Sequence, residues 1–205
     1  MAVAKLERDA LRLLDAPELE RARAMVSVLR QDFLASRMAQ RVFVAELLEV
    51  RAQDLTASYS CPLCGSGPGV THGRPGYTLD GAPAPLLLSL SRAAGWTLLA
   101  AVTAPGPGQR LGVDVEDPQR LDFEGFDAVA LTLAERQAVA SLREADILRG
   151  RARLWARKEA YLKMTGEGLR RPPETLDVLD RPGVRDLAPA VSGLPDDLVA
   201  AVAVG

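Results

Sequence analysis

The chain has 205 residues, 48% of them hydrophobic, and a formal net charge of −2 at pH 7. This composition argues against a disordered chain and against general attraction to nucleic acid or anionic membranes. There is no apolar run of the roughly 18–20 residues that a membrane span needs, and the first fifteen residues lack the apolar stretch of a signal peptide. We therefore expect a globular cytoplasmic protein.

The first part of the chain predicts one long helix, a loop and two strands. Residues 18–51 carry apolar side chains at intervals of three and four, with no internal Pro or Gly. Residues 60–85 are crowded with Gly and Pro and predict a loop. Residues 86–91 and Trp96–Thr103 then predict two strands, with a turn at 92–95 between them.

The second part of the chain alternates strand and helix patterns. Leu111–Glu116 predicts a short strand, and residues 131–149 have helical spacing. Residues 151–165 predict a further helix, which Gly166 ends. Residues 187–204 close the chain with β-like segments.

A weak internal repeat predicts two similar halves. Residues 95–102 and 196–203 are both turn residues followed by a strand of small apolar residues. This predicts an α+β fold with a pseudo-two-fold pair of halves, 1–104 and 105–205, each a helix packed on a small antiparallel sheet. A cleft between the halves is then the expected ligand site. The alternative is that strands rich in Ala and Val look alike in any Ala-rich protein.

The first candidate for chemistry is the strand Gly-Val-Asp-Val-Glu at residues 112–116. Alternate side chains share a face, so Val113 and Val115 can enter the core while Asp114 and Glu116 project together. Their Cα atoms would lie about 6.6 Å apart, which lets both carboxylates reach one Mg²⁺ ion. The alternative is an amphipathic edge strand with a solvated acidic face.

The second candidate is the helix that carries Trp155, Glu159 and Lys163 at i, i+4 and i+8, along one face. Taken alone, Glu159 and Lys163 could be an ordinary surface ion pair below a packed Trp. Facing the acidic strand, Glu159 would supply a third carboxylate for Mg²⁺, and Lys163 would stabilise a departing phosphate.

These two segments together resemble the paired signature of the 4′-phosphopantetheinyl transferase superfamily, of the Sfp type. The pair consists of Gly-Val-Asp-Val-Glu at 112–116 and Trp-x-x-Lys-Glu-Ala-x-x-Lys at 155–163. The resemblance extends over residues 20–205, and it includes further matching segments at 36–37, 72–75, 88–91 and 126–135.

The resemblance implies an enzyme that transfers 4′-phosphopantetheine from coenzyme A to a serine of an apo acyl or peptidyl carrier protein, releasing 3′,5′-ADP. It implies that Asp114, Glu116 and Glu159 hold Mg²⁺ with the coenzyme A pyrophosphate. Glu159, or a metal-bound water, would deprotonate the serine, and Lys163 would stabilise the departing ADP. A monomer is the expected state.

The resemblance also implies residues that bind coenzyme A. Arg37 and Arg74 would bind the adenosine 3′-phosphate end, Lys158 would contact phosphate, and Ser89 lies in the segment that resembles the family's Ser-His-Ser strand. Leu90 occupies the position of the family's His in that strand, and leucine donates no hydrogen bond. This departure leaves open a relative that binds coenzyme A or a carrier protein without transfer.

A second alternative comes from Cys61, Cys64 and His72. Cys-x-x-Cys with a His eight residues beyond offers three zinc ligands, whereas a structural zinc site normally has four. A zinc-stabilised interaction module is therefore a rival function, and a tight Gly-rich turn without metal is the simpler explanation.

Overall fold

The computed structural model describes residues 2–61, 63–66, 70 and 72–205, without the side chains of residues 2 and 3. It is an α+β protein with small antiparallel sheets. The chain divides into two compact units, residues 1–86 and 87–205. The sequence predicted a boundary at residue 104, with the strands near 86–103 in the first half. In the structure the chain divides after residue 86, and these strands lie in the second unit.

The first unit starts with helices and ends with short strands. The helices are α1 (Ala2–Leu13), α2 (Ala16–Arg23) and α3 (Ser27–Leu48), with a 3₁₀ turn at Ala52–Asp54. The strands are β1 (Leu55–Ala57), β2 (Ser60–Cys61), β3 (Gly65–Ser66), β4 (Tyr77–Leu79) and β5 (Ala82–Pro83). Strand β4 lies between β1 and β5, and β2 pairs with β3.

The single helix predicted at 18–51 is divided into α2 and α3. Asp15 and Glu18 form a capping box at the start of α2, and Val26 takes an extended conformation before α3. The break lets α1 and α2 bury their apolar faces on α3 in one cluster. Packing of the helices on each other thus overrides a helical pattern that runs on through the break.

A buried ion pair fastens these helices to β1. The guanidinium of Arg41, which is 2% exposed, lies 2.6 Å from Asp15 Oδ2 and 3.0 Å from Glu18 Oε2. It also donates a hydrogen bond to the Leu55 carbonyl at 2.8 Å. A buried charge with several partners of this kind fixes the arrangement of α2, α3 and β1.

The second unit contains the remaining elements. Its strands are β6 (Leu86–Ala93), β7 (Trp96–Thr103), β8 (Leu111–Glu116), β9 (Val184–Leu187) and β10 (Val199–Val204). Its helices are α4 (Phe126–Ala130), α5 (Leu133–Ala140), α6 (Ile147–Thr165) and α7 (Pro189–Ser192). Its 3₁₀ turns are Pro118–Leu121, Glu144–Asp146, Gly168–Arg170 and Pro173–Thr175.

Strand β10 lies between β8 and β9 in an antiparallel sheet, and β6 pairs with β7 as a hairpin. Asp114 is opposite Ala201 in the β8–β10 register, and Glu116 is opposite Val199. Val113 and Val115 pack into a core cluster with residues of the hairpin, while helix α6 lies against β8 and β10. The strand pattern 111–116 and the strand 96–103 are confirmed to the residue.

The helix predicted at 131–149 is also interrupted. Thr132 and Glu135 form a capping box that starts α5, and a 3₁₀ turn separates α5 from α6. Helix α6 begins four residues earlier than the predicted start at 151 and ends, as predicted, before Gly166, whose φ is 78°. Across the described residues, no helix is both long enough and apolar enough to cross a membrane. The pseudo-two-fold relation between halves remains a prediction.

Candidate active site

The carboxylate of Asp114 lies at the centre of a polar cluster inside the second unit. Its side chain is only 3% exposed, and its Oδ1 accepts hydrogen bonds from Ser91 Oγ and Lys163 Nζ, both at 2.6 Å. Its Oδ2 is buried and has no hydrogen-bond partner in the described part of the chain. A carboxyl oxygen buried without a hydrogen-bond partner is costly, so this atom is suited to an added cation.

Helix α6 reaches the acidic face of β8 because small residues line both surfaces. Ala156 and Ala160 pack with Ala201 and Ala203, all of them fully buried. A Cβ added at Gly112 would lie 2.0 Å from the Ala160 carbonyl oxygen and 2.6 Å from the Met164 nitrogen. The helix backbone therefore lies directly on the strand at this point, which brings the next turn of α6 to Asp114.

Lys163 lies on that turn and connects three segments. Besides Asp114, its ammonium donates to the Val113 carbonyl at 3.2 Å and to the Leu90 carbonyl at 3.5 Å. Its side chain remains 31% exposed. The ammonium is thus fixed in position but still accessible, as expected of a group that receives an anion.

Two further carboxyls, those of Glu116 and Glu159, belong to the same electrostatic cluster. Burial raises the pKa of Glu116 to about 8, and the charges of Asp114 and Glu159 add to this effect. Burial and the charge of Asp114 likewise raise the pKa of Glu159, while Lys163 opposes the rise. Glu116 and Glu159 thus resist ionisation, and together with Asp114 they form an oxygen-rich set that a divalent cation would stabilise.

Trp155, which the sequence placed on the same face of α6, lies one turn before Glu159 and packs beside the core. It is partly buried, with its ring centroid 6.1 Å from that of Phe126 in an edge-to-face arrangement. This position agrees with a packing role for Trp155.

The two serines of β6 share a face and hold that strand to β8. Ser89 Oγ accepts a hydrogen bond from the Val113 backbone nitrogen at 2.9 Å, and the hydroxyl of Ser91 donates to Asp114. Ser91 was not among the predicted site residues. The signal for it was the spacing Ser89-x-Ser91, which puts both hydroxyls on one face of a strand.

Lys158 has a different environment from the one expected of a phosphate-binding residue. Its side chain is fully buried, 2.6 Å from Glu135 Oε2, and it donates to the carbonyls of Pro173 and Leu176. These partners occupy the ammonium and hold α5 and α6 to the segment at 173–176. Because a ligand phosphate cannot reach this ammonium, we assign Lys158 a structural role instead.

The other predicted coenzyme A residues lie in the first unit. The guanidinium of Arg37 donates to the Tyr59 hydroxyl and stacks on the rings of Phe33 and Tyr59, 5.0 and 4.5 Å from their centroids. Burial and the positive charge of Arg37 lower the pKa of Arg21, so two cations lie close together here. Arg74 is half-buried and its backbone pairs with Ser60.

Comparison with known proteins agrees with the motifs. Residues 110–193, which contain the acids of β8 and the whole of α6, match the model of the 4′-phosphopantetheinyl transferase superfamily. The chain is similar to 4′-phosphopantetheinyl transferase 1 of Fusarium mangiferae, with 31% identity over 117 residues. That match covers 47% of this chain and 40% of the fungal protein, so it spans less than half the length of the relative. The motifs, the geometry and these matches agree that residues 110–193 are similar to the 4′-phosphopantetheinyl transferase superfamily.

Proposed function

We propose that the protein transfers the 4′-phosphopantetheine group of coenzyme A to a serine of an apo acyl or peptidyl carrier protein, in a Mg²⁺-dependent reaction. The serine oxygen forms a bond to the phosphorus that carries the pantetheine arm. The bond from that phosphorus to the bridging oxygen of the pyrophosphate breaks, and 3′,5′-ADP leaves. The observation that carries the proposal is the cluster in which the buried Asp114 lies 2.6 Å from Lys163 and interacts electrostatically with two further carboxyls, Glu116 and Glu159.

The residues of this cluster fit a divalent cation. Asp114 Oδ2 has no donor in the described part of the chain, and burial together with the charge of Asp114 raises the pKa of both Glu116 and Glu159, an effect that a cation would offset. Asp114, Glu116 and Glu159 would hold Mg²⁺ through oxygen atoms, its preferred ligands. When bound, Mg²⁺ supplies positive charge against the pyrophosphate.

The side chains of the cluster have separate roles in the transfer. Glu159 takes the proton of the attacking serine hydroxyl, and its raised pKa makes it a better match to a neutral solution than an ordinary carboxylate. Lys163 neutralises charge on the departing 3′,5′-ADP as a point donor. Ser91 and Ser89 orient Asp114 and the backbone of β8. Catalysis is then mainly positioning and charge neutralisation.

Arg37 and Arg74 are proposed to bind the adenosine 3′-phosphate end of coenzyme A. Support for Arg37 comes from its rigid stacking on Phe33 and Tyr59, which fixes the direction of its guanidinium. Support for Arg74 comes from the resemblance of residues 72–75 to a family motif. Because the Ser89 hydroxyl already accepts from Val113, its proposed part in binding is to support this strand.

The test is the mass of apo acyl and peptidyl carrier proteins incubated with the protein, coenzyme A and Mg²⁺. We expect the gain of one phosphopantetheine group, and its loss with Glu159→Gln and with excess chelator. Glu144→Gln, on an exposed 3₁₀ turn outside the cluster, is the matched control and should retain transfer. Coenzyme A binding without any gain of mass on the whole panel would contradict transfer and favour a non-catalytic binder, with Leu90→His as the first reversion.

A further inference from the structure

A second cluster of metal-ligating side chains lies in the first unit, around the β2–β3 hairpin. The ligand atoms of Cys61, Cys64 and His72 all lie within 4.8 Å of one another. Cys64 Sγ lies 3.3 Å from His72 Nε2. Both cysteines are free thiols, so neither is consumed by a disulfide.

The backbone brings His72 to the two cysteines. Ser60 and Arg74 form a β-bridge in which each nitrogen donates to the other's carbonyl, at 3.0 and 2.8 Å. Gly73 has a φ of +87°, and a Cβ there would lie 2.3 Å from the Ser60 carbonyl oxygen. This close approach requires glycine, and it places the residue before Gly73 beside the residue after Ser60.

The cysteines themselves have the surroundings of a metal-binding turn. Cys61 lies at the end of β2, where it pairs with Gly65 of β3, and Cys64 lies in the turn between the two strands. A tight turn of this kind holds both sulfurs on one side of the hairpin, close to His72. A thiophilic cation displaces the thiol protons, because the thiolate is the metal ligand.

The donor set and its spacing select zinc rather than magnesium. Two thiolates and one imidazole are ligands for Zn²⁺, whereas Mg²⁺ prefers oxygen. Sulfur and nitrogen ligands about 2.3 and 2.0 Å from a tetrahedral centre lie about 3.5 Å apart. The 3.3 Å between Cys64 Sγ and His72 Nε2 is close to that separation.

We propose that Cys61, Cys64 and His72 bind one Zn²⁺ per chain, separate from the carboxylate cluster on β8. Cys64 and His72 are exposed, so the fourth coordination position is left to water. The ion closes the loop between β2 and residue 72 and fixes the adjoining Gly73–Arg74 backbone to Ser60. Zinc therefore stabilises the fold of the first unit and takes no part in the chemistry of the second.

The test is metal content and cobalt spectroscopy on the full chain, purified under reducing conditions. The wild type should carry one zinc per chain, and Co²⁺ substitution should give a thiolate-to-cobalt charge-transfer band with the strong visible bands of a tetrahedral site. Cys61→Ser and Cys64→Ser should lose both signals. Loss of an outer-shell partner usually weakens metal binding about 10–100-fold, and His72→Gln removes a direct ligand, so it should weaken zinc binding by more than that. Glu159→Gln should retain both signals, which separates this site from the proposed magnesium site.

A thermal unfolding measurement distinguishes the loss of zinc binding from poor folding of the variants. A zinc chelator should lower the melting temperature of the wild type but leave that of the Cys61→Ser/Cys64→Ser double variant unchanged. The proposal is overturned if the wild type takes up neither zinc nor cobalt with a thiolate band. It is equally overturned if that band survives in the double variant, or if the protein purified under reducing conditions still contains a Cys61–Cys64 disulfide.

Discussion

Two lysines five positions apart on α6 have opposite surroundings. Lys158 is fully buried against Glu135 and two carbonyls, whereas Lys163 is 31% exposed beside Asp114. Burial lowers the pKa of Lys158, and the hydrogen bond to Glu135 opposes that effect. One ammonium therefore stabilises the fold, while the other remains accessible to a ligand.

Substituting each lysine by methionine separates these roles. Lys158→Met leaves the Glu135 carboxylate buried without its cation, so we expect a loss of about 3–5 kcal/mol in the free energy of unfolding. Lys163→Met should leave a folded protein whose kcat for transfer falls about 10²–10³-fold. Urea unfolding and carrier-protein modification measure the two effects, and exposed Lys5→Met is the control. Equal stability losses in both variants would contradict the assignment.

The raised pKa of Glu116 predicts how stability depends on pH without metal. The folded-state pKa is about 8 and the ordinary value is 4.5, so the folded state binds the proton more tightly than the unfolded state does. The contribution of Glu116 to stability is therefore largest below about pH 4.5 and falls as pH rises to about 8. Added Mg²⁺ should offset this loss, because a bound cation favours the ionised carboxylate.

Glu116→Gln, which mimics the protonated form, provides the measurement. In urea unfolding with chelator, the variant should gain stability relative to the wild type as pH rises from about 5 to 8. Mg²⁺ should reduce the difference by stabilising the wild type more than the variant. A difference that stays constant across this pH range would show that Glu116 does not titrate in this way.

At the level of elements, the site depends on how closely α6 lies on β8. Gly112 begins the acidic motif, and its missing side chain lets the Ala160 carbonyl and the Met164 nitrogen approach. The same contact determines the position of Glu159 and Lys163 relative to Asp114. The glycine of the motif is therefore a packing requirement, while its acids are the proposed metal ligands.

Gly112→Ala should push the helix away from the strand. The added methyl would meet backbone atoms, which cannot rotate aside, so we expect a loss of about 1–3 kcal/mol in stability and a larger relative loss of transfer activity. Gly106→Ala is the matched control, because its Cβ would meet nothing within 4 Å. An active, stable Gly112→Ala protein would show that this close approach is not needed.

At the scale of the whole molecule, the candidate residues belong to two compact units. The carboxylate cluster lies in residues 87–205, and Arg37 and Arg74 lie in residues 1–86. The proposed reaction assigns the first unit to the adenosine end of coenzyme A and the second to the pyrophosphate. This division of roles is testable with a substrate that lacks the 3′-phosphate.

Arg37→Gln should weaken the binding of coenzyme A far more than the binding of dephospho-coenzyme A. Losing one charge-assisted contact of about 1.5–3 kcal/mol raises the KM for coenzyme A about 10–100-fold. The KM for dephospho-coenzyme A should change little, and exposed Arg23→Gln should affect neither substrate. Equal increases in KM for both substrates would show that Arg37 supports the fold through Phe33 and Tyr59 and does not bind the 3′-phosphate.

Local sequence determined the short-range features of this protein. The strands at 96–103 and 111–116, the common face of Asp114 and Glu116, and the end of α6 at Gly166 depend on alternation and on glycine conformation. The motif pair also predicted the superfamily whose model matches residues 110–193. These features follow from neighbouring residues, so a single sequence is sufficient to predict them.

Only the tertiary structure decided the features that join distant parts of the chain. The break before α3 follows from the packing of α1 and α2 on that helix, and the burial of Lys158 depends on Glu135, twenty-three positions earlier. Likewise, Ser91 and Lys163 meet at Asp114 from separate elements. Such contacts depend on which surfaces are buried together, and the spacing of residues along the chain does not determine that choice.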